Sequence, residues 1–239
     1  MPTIIFTAGA KGGTGKSTAV RFLTTYLRER GFSPLLLDMD DENHTLSRFF
    51  PEAQRVEIKN SFSNDLLVER ILGGGKLLIA DLKAGSGRDT LDWWLGVPFD
   101  ELTDIQFICV GAVTSSPDSV QTFLNWAAAL KGRVKYVVCK NQKDGETFPD
   151  FDTSEQSLVF RDKYNPIEVD IPHLDAEYMT ELERLNLTIS EVLEANGNDA
   201  INGKPVGQIL CKLMVRSRLR RFQSEIYEQF EPVLKFIKA

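Results

Sequence analysis

The chain is 239 residues long, 42% apolar, 26% charged and 10% aromatic, with a formal net charge of −6. This is the composition of an ordinary globular protein, and its acidity argues against a chain that coats nucleic acid with its whole surface while leaving room for a local basic patch. No apolar run approaches the roughly 18 residues a membrane span needs, and a strand-like segment begins at Thr3 where a secretion signal would lie, so a cytoplasmic protein is expected.

In chain order, "TIIFTA" (3–8) predicts a first buried strand, and a helical pattern runs from Ser17 to about Arg30, ending at Gly31. "PLLLDMD" (34–40) predicts a second strand. A helical stretch near 64–72 stops at "GGG" (73–75), and "KLLIAD" (76–81) and "IQFICVGAV" (105–113) predict the third and fourth strands. "SSPDSVQTFLNWAAAL" opens a helix with a serine cap, a proline in the first turn and an aspartate, all favourable at a helix start. "VKYVVCK" (134–140) and "PIEVDI" (166–171) predict strands five and six, and the polar stretch 141–157 reads as a surface loop. Continuous Ile/Leu/Val runs separated by helices indicate a mostly parallel sheet with helices on both faces. The expectation is one doubly wound α/β domain spanning residues 1–239, with the longest helical pattern at about 205–231. Cys109, Cys139 and Cys211 lack metal-ligand spacing and read as buried thiols, and two histidines, His44 and His173, are too few for a histidine-based metal site.

The segment after the first strand, "AGAKGGTGKSTAV" (8–20), carries the chemistry. Gly15, Lys16 and Ser17 match the end of the phosphate-loop pattern G-x-x-x-x-G-K-[ST], while Ala10 stands where its first glycine belongs. Gly12 and Gly13 let the backbone turn tightly and aim N–H groups at phosphate oxygens, with Thr14 and Thr18 in the same cradle. Lys16 reaches the β- and γ-phosphates in such a loop, and Ser17 ligates Mg²⁺ at the start of the helix, where the dipole also favours anions. Lys11, a second lysine inside the loop, has no place in that general pattern.

"KGGTGKST" resembles the deviant Walker A motif of the ParA/MinD ATPases, a group that includes the nitrogenase iron protein. In that family the early lysine, here Lys11, crosses a nucleotide-sandwich dimer to the partner's phosphates, and some members lack a glycine where Ala10 stands. A charge delivered in trans does the work of an arginine finger and couples hydrolysis to dimerisation. The resemblance extends to an Asp-x-Asp pair after the second strand, matched by Asp38 and Asp40 in "LLLDMDDENHTLS". By that analogy Asp40 orients or activates the attacking water, and Asp38 supports the metal's water shell. Asp41 and Glu42 replace the family's usual proline and glutamine, a change that bears on switch motion or on metal affinity. Asp81, ending the third strand in "KLLIADLKAGSGRDT", fits a Walker B aspartate holding Mg²⁺ through water, although the family's common form is Asp-Thr-Pro-Pro. Gly85 and Gly87 give the following loop the freedom of a switch, and Arg88 senses phosphate or pairs with a carboxylate. Asn141 is either a hydrogen-bonding partner of adenine or a turn asparagine, and Pro172 matches a region that flanks the base in relatives. ATP rather than GTP is what the resemblance implies.

"CKLMVRSRLRRF" gathers Lys212, Arg216, Arg218, Arg220 and Arg221 with no acid among them, and Lys212, Arg216 and Arg220 recur every fourth residue as one stripe. In partition ATPases such residues grip nonspecific DNA through phosphate contacts, which need charge and not sequence readout; the alternative is a solvated face paired with nearby acids. Val206, Ile209, Leu210 and Leu213 share one helical face, whereas Leu219, Phe222, Ile226, Phe230 and Val233 share a roughly opposite one. The helix is therefore expected to bend near 215–219 or to bury its halves against different partners. The tail "FEPVLKFIKA" is a poor membrane anchor, since it has two lysines, contains Pro232 and follows Glu225, Glu228 and Glu231. These features together imply a ParA-like ATPase that dimerises with ATP, binds nonspecific DNA, associates with the nucleoid and answers to a stimulating adaptor protein. The other reading is a MinD-like ATPase that positions a membrane or protein cargo.

Overall fold

Six apolar runs form a parallel sheet, and an unpredicted two-residue polar strand, Gln54–Arg55, extends one edge of it. The computed structural model describes residues 1–9, 11–56, 64–83, 87–195, 200–201, 204–205 and 209–238. The strands are β1 (Thr3–Ala8), β2 (Leu35–Met39), β3 (Gln54–Arg55), β4 (Leu77–Leu82), β5 (Gln106–Val113), β6 (Lys135–Asn141) and β7 (Ile167–Ile171). Their order is β3-β2-β4-β1-β5-β6-β7, and every pairing in this sheet is parallel. A short antiparallel ribbon pairs β8 (Ala200–Ile201) with β9 (Lys204–Pro205).

Between them run α1 (Lys16–Glu29), α2 (Thr45–Phe49), α3 (Asp65–Leu72), α4 (Gly87–Gly96), α5 (Pro117–Leu130), α6 (Pro149–Thr153) and α7 (Glu155–Tyr164). Then follow α8 (Ala176–Leu185), α9 (Ile189–Glu194) and α10 (Leu213–Lys238). Side chains alternate across a strand, so each central strand feeds two cores. Ile5, Leu36 and Ile79 pack with α1, α2, α8, α9 and α10, while Ile4, Phe6, Leu37 and Leu78 pack with α3, α4, α5, α6 and α7. Successive strands leave β1 first on one side and then on the other, so the crevice at the carboxyl end of β1 is the switch point where ligands of such sheets bind.

Two expectations are corrected. The stretch 141–157 is not a plain loop: a tight turn at Gln142–Asp144 leads into α6 and then α7. Pro149 sits in the first turn of α6, where its missing N–H costs nothing, Ser154 caps α7 through the Ser157 N–H, and Phe148 and Phe151 are buried. The last helix also begins later than 205 and ends later than 231. Ile209 and Leu210 lie in the turn before it, and Val206 lies outside the described residues. The two opposed apolar faces therefore belong to different segments. Within α10 a single stripe, Val215, Leu219, Phe222, Ile226, Phe230, Val233 and Ile237, is buried. Pro232 is exposed on the opposite side, and the helix continues through it.

α10 runs parallel to α1 and packs against it. Phe22 meets Phe222 with ring centroids 5.5 Å apart, Tyr26 meets Tyr227 at 5.1 Å and Phe230 at 5.7 Å, and Arg30 pairs with Glu231.

Candidate nucleotide and metal site

The loop between β1 and α1 has the backbone that its glycines predict. Gly13 and Gly15 adopt φ of 71° and 95°, in the left-handed region that side chains resist. Gly12 and Gly13 are exposed, Ser17 and Thr18 half-buried, and Thr14 buried with its hydroxyl unpartnered; Ala10 lies outside the described residues. Gly15 is the cap of α1, so no side chain caps this helix, and no acid occupies its first turn. The first N–H groups of α1 are thus left for an anion.

Lys16 opens α1 and is 7% exposed, with its Nζ donating to the Lys11 carbonyl at 2.6 Å. Burial lowers its pKa, against the opposing pull of Asp81 and Asp40. Lys11 points to the rim of the loop. Its Nζ lies 3.0 Å from Ser116 Oγ and 3.1 Å from Asp118 Oδ2 at the start of α5.

Three carboxylates stand at the ends of β2 and β4. The parallel register sets Asp38 beside Asp81. Asp81 is fully buried; its Oδ1 accepts from the Thr7 hydroxyl at 3.3 Å, and its Oδ2 has no hydrogen-bond partner. Burial pushes its carboxyl up to about 7; the nearby Ser17 hydroxyl and the charge of Lys16 oppose this, and Asp38 and Asp40 add to it. Asp38 accepts from the backbone N–H of Ser47 at 2.7 Å and of Asp40 at 3.2 Å. Asp40 holds the next turn, accepting from the N–H groups of Glu42 and Asn43 and from the Asn43 side chain at 3.1–3.2 Å.

An unpartnered, buried carboxylate oxygen beside a serine hydroxyl is a poor arrangement for an empty interior and a good one for a hydrated divalent cation. The residues present fit Mg²⁺: Ser17 as a direct ligand, with Asp81 and Asp38 acting through its water shell. Among the described residues no three Asp, Glu, His or Cys side chains converge as direct metal ligands.

Asn141 ends β6 and is buried against the loop, its Nδ2 donating to the Thr14 carbonyl at 3.0 Å while its Oδ1 accepts from the Lys143 N–H at 3.2 Å. Pro172 follows β7 at the same edge of the sheet, half-buried. Gly87 opens α4, whereas Gly85 and the Arg88 side chain lie outside the described residues. Sequence reasoning missed the partner of the two unusual acids. Lys83 Nζ sits 2.7 Å from Asp41 and 3.0 Å from Glu42. The signal was available in the register, because Met39 pairs with Leu82 and carries the following residues of both strands together.

The basic cluster does not form one solvent-facing stripe. Arg216 turns inward and donates to the carbonyls of Val192, Leu193 and Ala195, each at 2.8 Å, closing the end of α9. Arg218 donates to the Tyr178 hydroxyl at 2.6 Å, and Arg221 pairs with Glu225 one turn on at 2.7 Å. Lys212 and Arg220 are exposed, as are Leu213 and Met214 beside them.

Comparison with known proteins agrees with this geometry. A search of curated proteins returns no significant match. Among solved structures the chain is similar to the MinD cell division protein of Aquifex aeolicus, with a TM-score of 0.54, 16% identity, and 92% of this chain and 98% of that one covered. It is also similar to a plasmid partition protein of Borrelia burgdorferi B31 bound to AMPPNP, with a TM-score of 0.54, 13% identity, and 96% and 98% covered. The MinC:MinD complex of Aquifex aeolicus gives a TM-score of 0.53 at 16% identity, with 92% and 96% covered. These likenesses establish the fold. The model of the CobQ/CobB/MinD/ParA nucleotide-binding domain matches residues 5–239, and the chain belongs to that family.

Proposed function

We propose that the chain is a ParA-like ATPase: a Mg²⁺-dependent switch that closes into a nucleotide-sandwich dimer, binds nonspecific DNA and hydrolyses ATP slowly to drive plasmid partition or positioning. The observation that carries this reading is the buried Asp81 carboxylate, with one oxygen unpartnered, beside Ser17 and Lys16. Mg²⁺ there would neutralise charge on the β- and γ-phosphates. The loop N–H groups and Lys16 bind and orient the phosphates from within the chain. Asp40, held rigidly by its turn, orients the attacking water. Lys11 leaves Ser116 and Asp118 and reaches the partner's nucleotide, so the transferring group is fully neutralised only after closure. A stimulating adaptor would act on that closure. Asn141 and Pro172 stand on the side where the base would lie.

Lys212, Arg220 and Arg221 support DNA binding, with Arg218 at their edge; Arg216 contributes by fixing α9 beneath them. Membrane attachment through the C-terminal tail is disfavoured, because Phe230, Val233, Leu234 and Ile237 are buried in the chain's own core. On this reading the protein is cytoplasmic and associates with the nucleoid through its DNA contacts. The test is binding to random-sequence DNA with ATP, with ADP and without nucleotide, over a salt series, alongside anionic liposomes. ATP-dependent binding that falls steeply with salt is expected. Binding to neither surface would transfer the weight to a MinD-like switch for protein cargo.

A further inference from the structure

Asp40, Asp41 and Glu42 follow β2 without a break, and Asp38 and Asp81 face each other on the paired strand ends beside them. Five carboxylates therefore gather at one corner of the sheet. Like charges repel, and the exposed pair, Asp41 and Glu42, has room to swing outwards into solvent. That swing would carry away the backbone of the turn. Its Glu42 and Asn43 N–H groups donate to Asp40 Oδ1 at 3.1 and 3.2 Å.

Lys83 opposes it. This residue follows β4 directly, and its single ammonium reaches both acids, 2.7 Å from Asp41 and 3.0 Å from Glu42. The turn is thus closed twice, from inside by the Asp40 carboxylate and from outside by Lys83. The inner closure shapes the turn, whereas the outer one fixes it against the strand that carries Asp81. The Lys83 side chain is 24% exposed, Asp41 41% and Glu42 64%. Pairs this open add little to global stability, so their effect falls on geometry.

We infer that Lys83 is a positioning residue for the proposed hydrolysis, tying the Asp40 turn to the end of β4 through Asp41 and Glu42. This deepens the reading of Asp40 as the group that orients the attacking water, and it rests on that reading.

The experiment measures steady-state hydrolysis of Mg·ATP by wild type, Lys83→Met and Lys83→Arg. Each is also made in a background carrying Asp41→Asn and Glu42→Gln. Lys83→Met keeps the apolar stem and removes the charge. It should lower kcat about fivefold, the order of two partly exposed ion pairs, with KM unchanged, and Lys83→Arg should recover kcat to within about twofold. In the background without the two acids, Lys83→Met should cost nothing further. An unchanged kcat, a raised KM with kcat intact, or an equal loss in both backgrounds overturns the inference. A second readout needs no nucleotide. Exchange of the Glu42 and Asn43 amides with water, followed by NMR in the metal-free protein, should quicken in Lys83→Met and not in Lys83→Arg; unchanged exchange refutes the tie. A wild type that binds Mg·ATP without hydrolysing it overturns the reading of Asp40 itself, a result distinct from any difference between variants.

Discussion

Replacing Asp81 with asparagine should stabilise the metal-free protein while removing its response to Mg²⁺. The substitution keeps the shape of the side chain and the Oδ1 that accepts from Thr7, and puts an N–H donor where Oδ2 has no partner, close to Asp38 and Asp40. Burial moves the Asp81 carboxyl from its ordinary 3.8 to about 7. At roughly 1.4 kcal/mol per pH unit, ionising it inside the fold costs ~4 kcal/mol. The sign follows from which state holds the proton. Below pH 3.8 both folded and unfolded chains are protonated and no penalty exists; between 3.8 and about 7 the unfolded chain loses the proton first, and stability falls as pH rises; above about 7 the whole penalty is present. Urea melts in EDTA across this range should show the advantage of Asp81→Asn growing from near zero at the acid end to ~4 kcal/mol at the basic end, with other groups cancelling in the difference. Adding Mg²⁺ with nucleotide should then stabilise the wild type and not the variant. An advantage that does not vary with pH, or a variant less stable than wild type at high pH, would refute the burial argument.

Lys16→Ala should abolish nucleotide binding in a calorimetric titration, and retained affinity would remove the phosphate-loop assignment. Lys11→Ala should keep ATP binding but lose dimerisation on a sizing column or hydrolysis; a normal ATP-bound dimer would end its role in trans. Arg216→Ala should destabilise the chain by about 2 kcal/mol in urea, because three carbonyls at the end of α9 lose a charged donor, yet barely change the salt slope of DNA binding. The triple change of Lys212, Arg220 and Arg221 to alanine should do the reverse, flattening the slope with stability intact. If both variants alter the slope equally, Arg216 belongs to the DNA contact after all.

Six strands of the sheet and the corner proposed to hold Mg²⁺ were legible because their signals are local. An apolar strand, glycines and a Lys-Ser pair announce the loop in thirteen residues, "AGAKGGTGKSTAV", and strand-end aspartates mark the other two corners. What failed to show was structure whose partner leaves no trace in composition. Arg216 binds backbone carbonyls, so nothing in the surrounding sequence names its acceptors. Ser116 and Asp118 lie over a hundred residues from Lys11 and meet it only because β5 pairs beside β1. α7 exposes Leu158 and Val159 and buries Ser157, which erases the apolar stripe that would have revealed a helix. The apparent switch of faces near α10 arose from extending a helical period back across residues that precede its first turn.

The parallel seating of α10 on α1 has a mechanical consequence. Residue 22 of one helix meets 222 of the other, and 30 meets 231, so the contacts advance almost residue for residue. Extending that match places the start of α10, with Lys212 and Arg220 nearby, level with the start of α1 and hence with the phosphate loop. Interlocked aromatic rings join the two helices along this length, and close-packed interiors yield little. A displacement of α1 at the loop would be delivered to the exposed cations as movement of one lever, with no hinge between input and output.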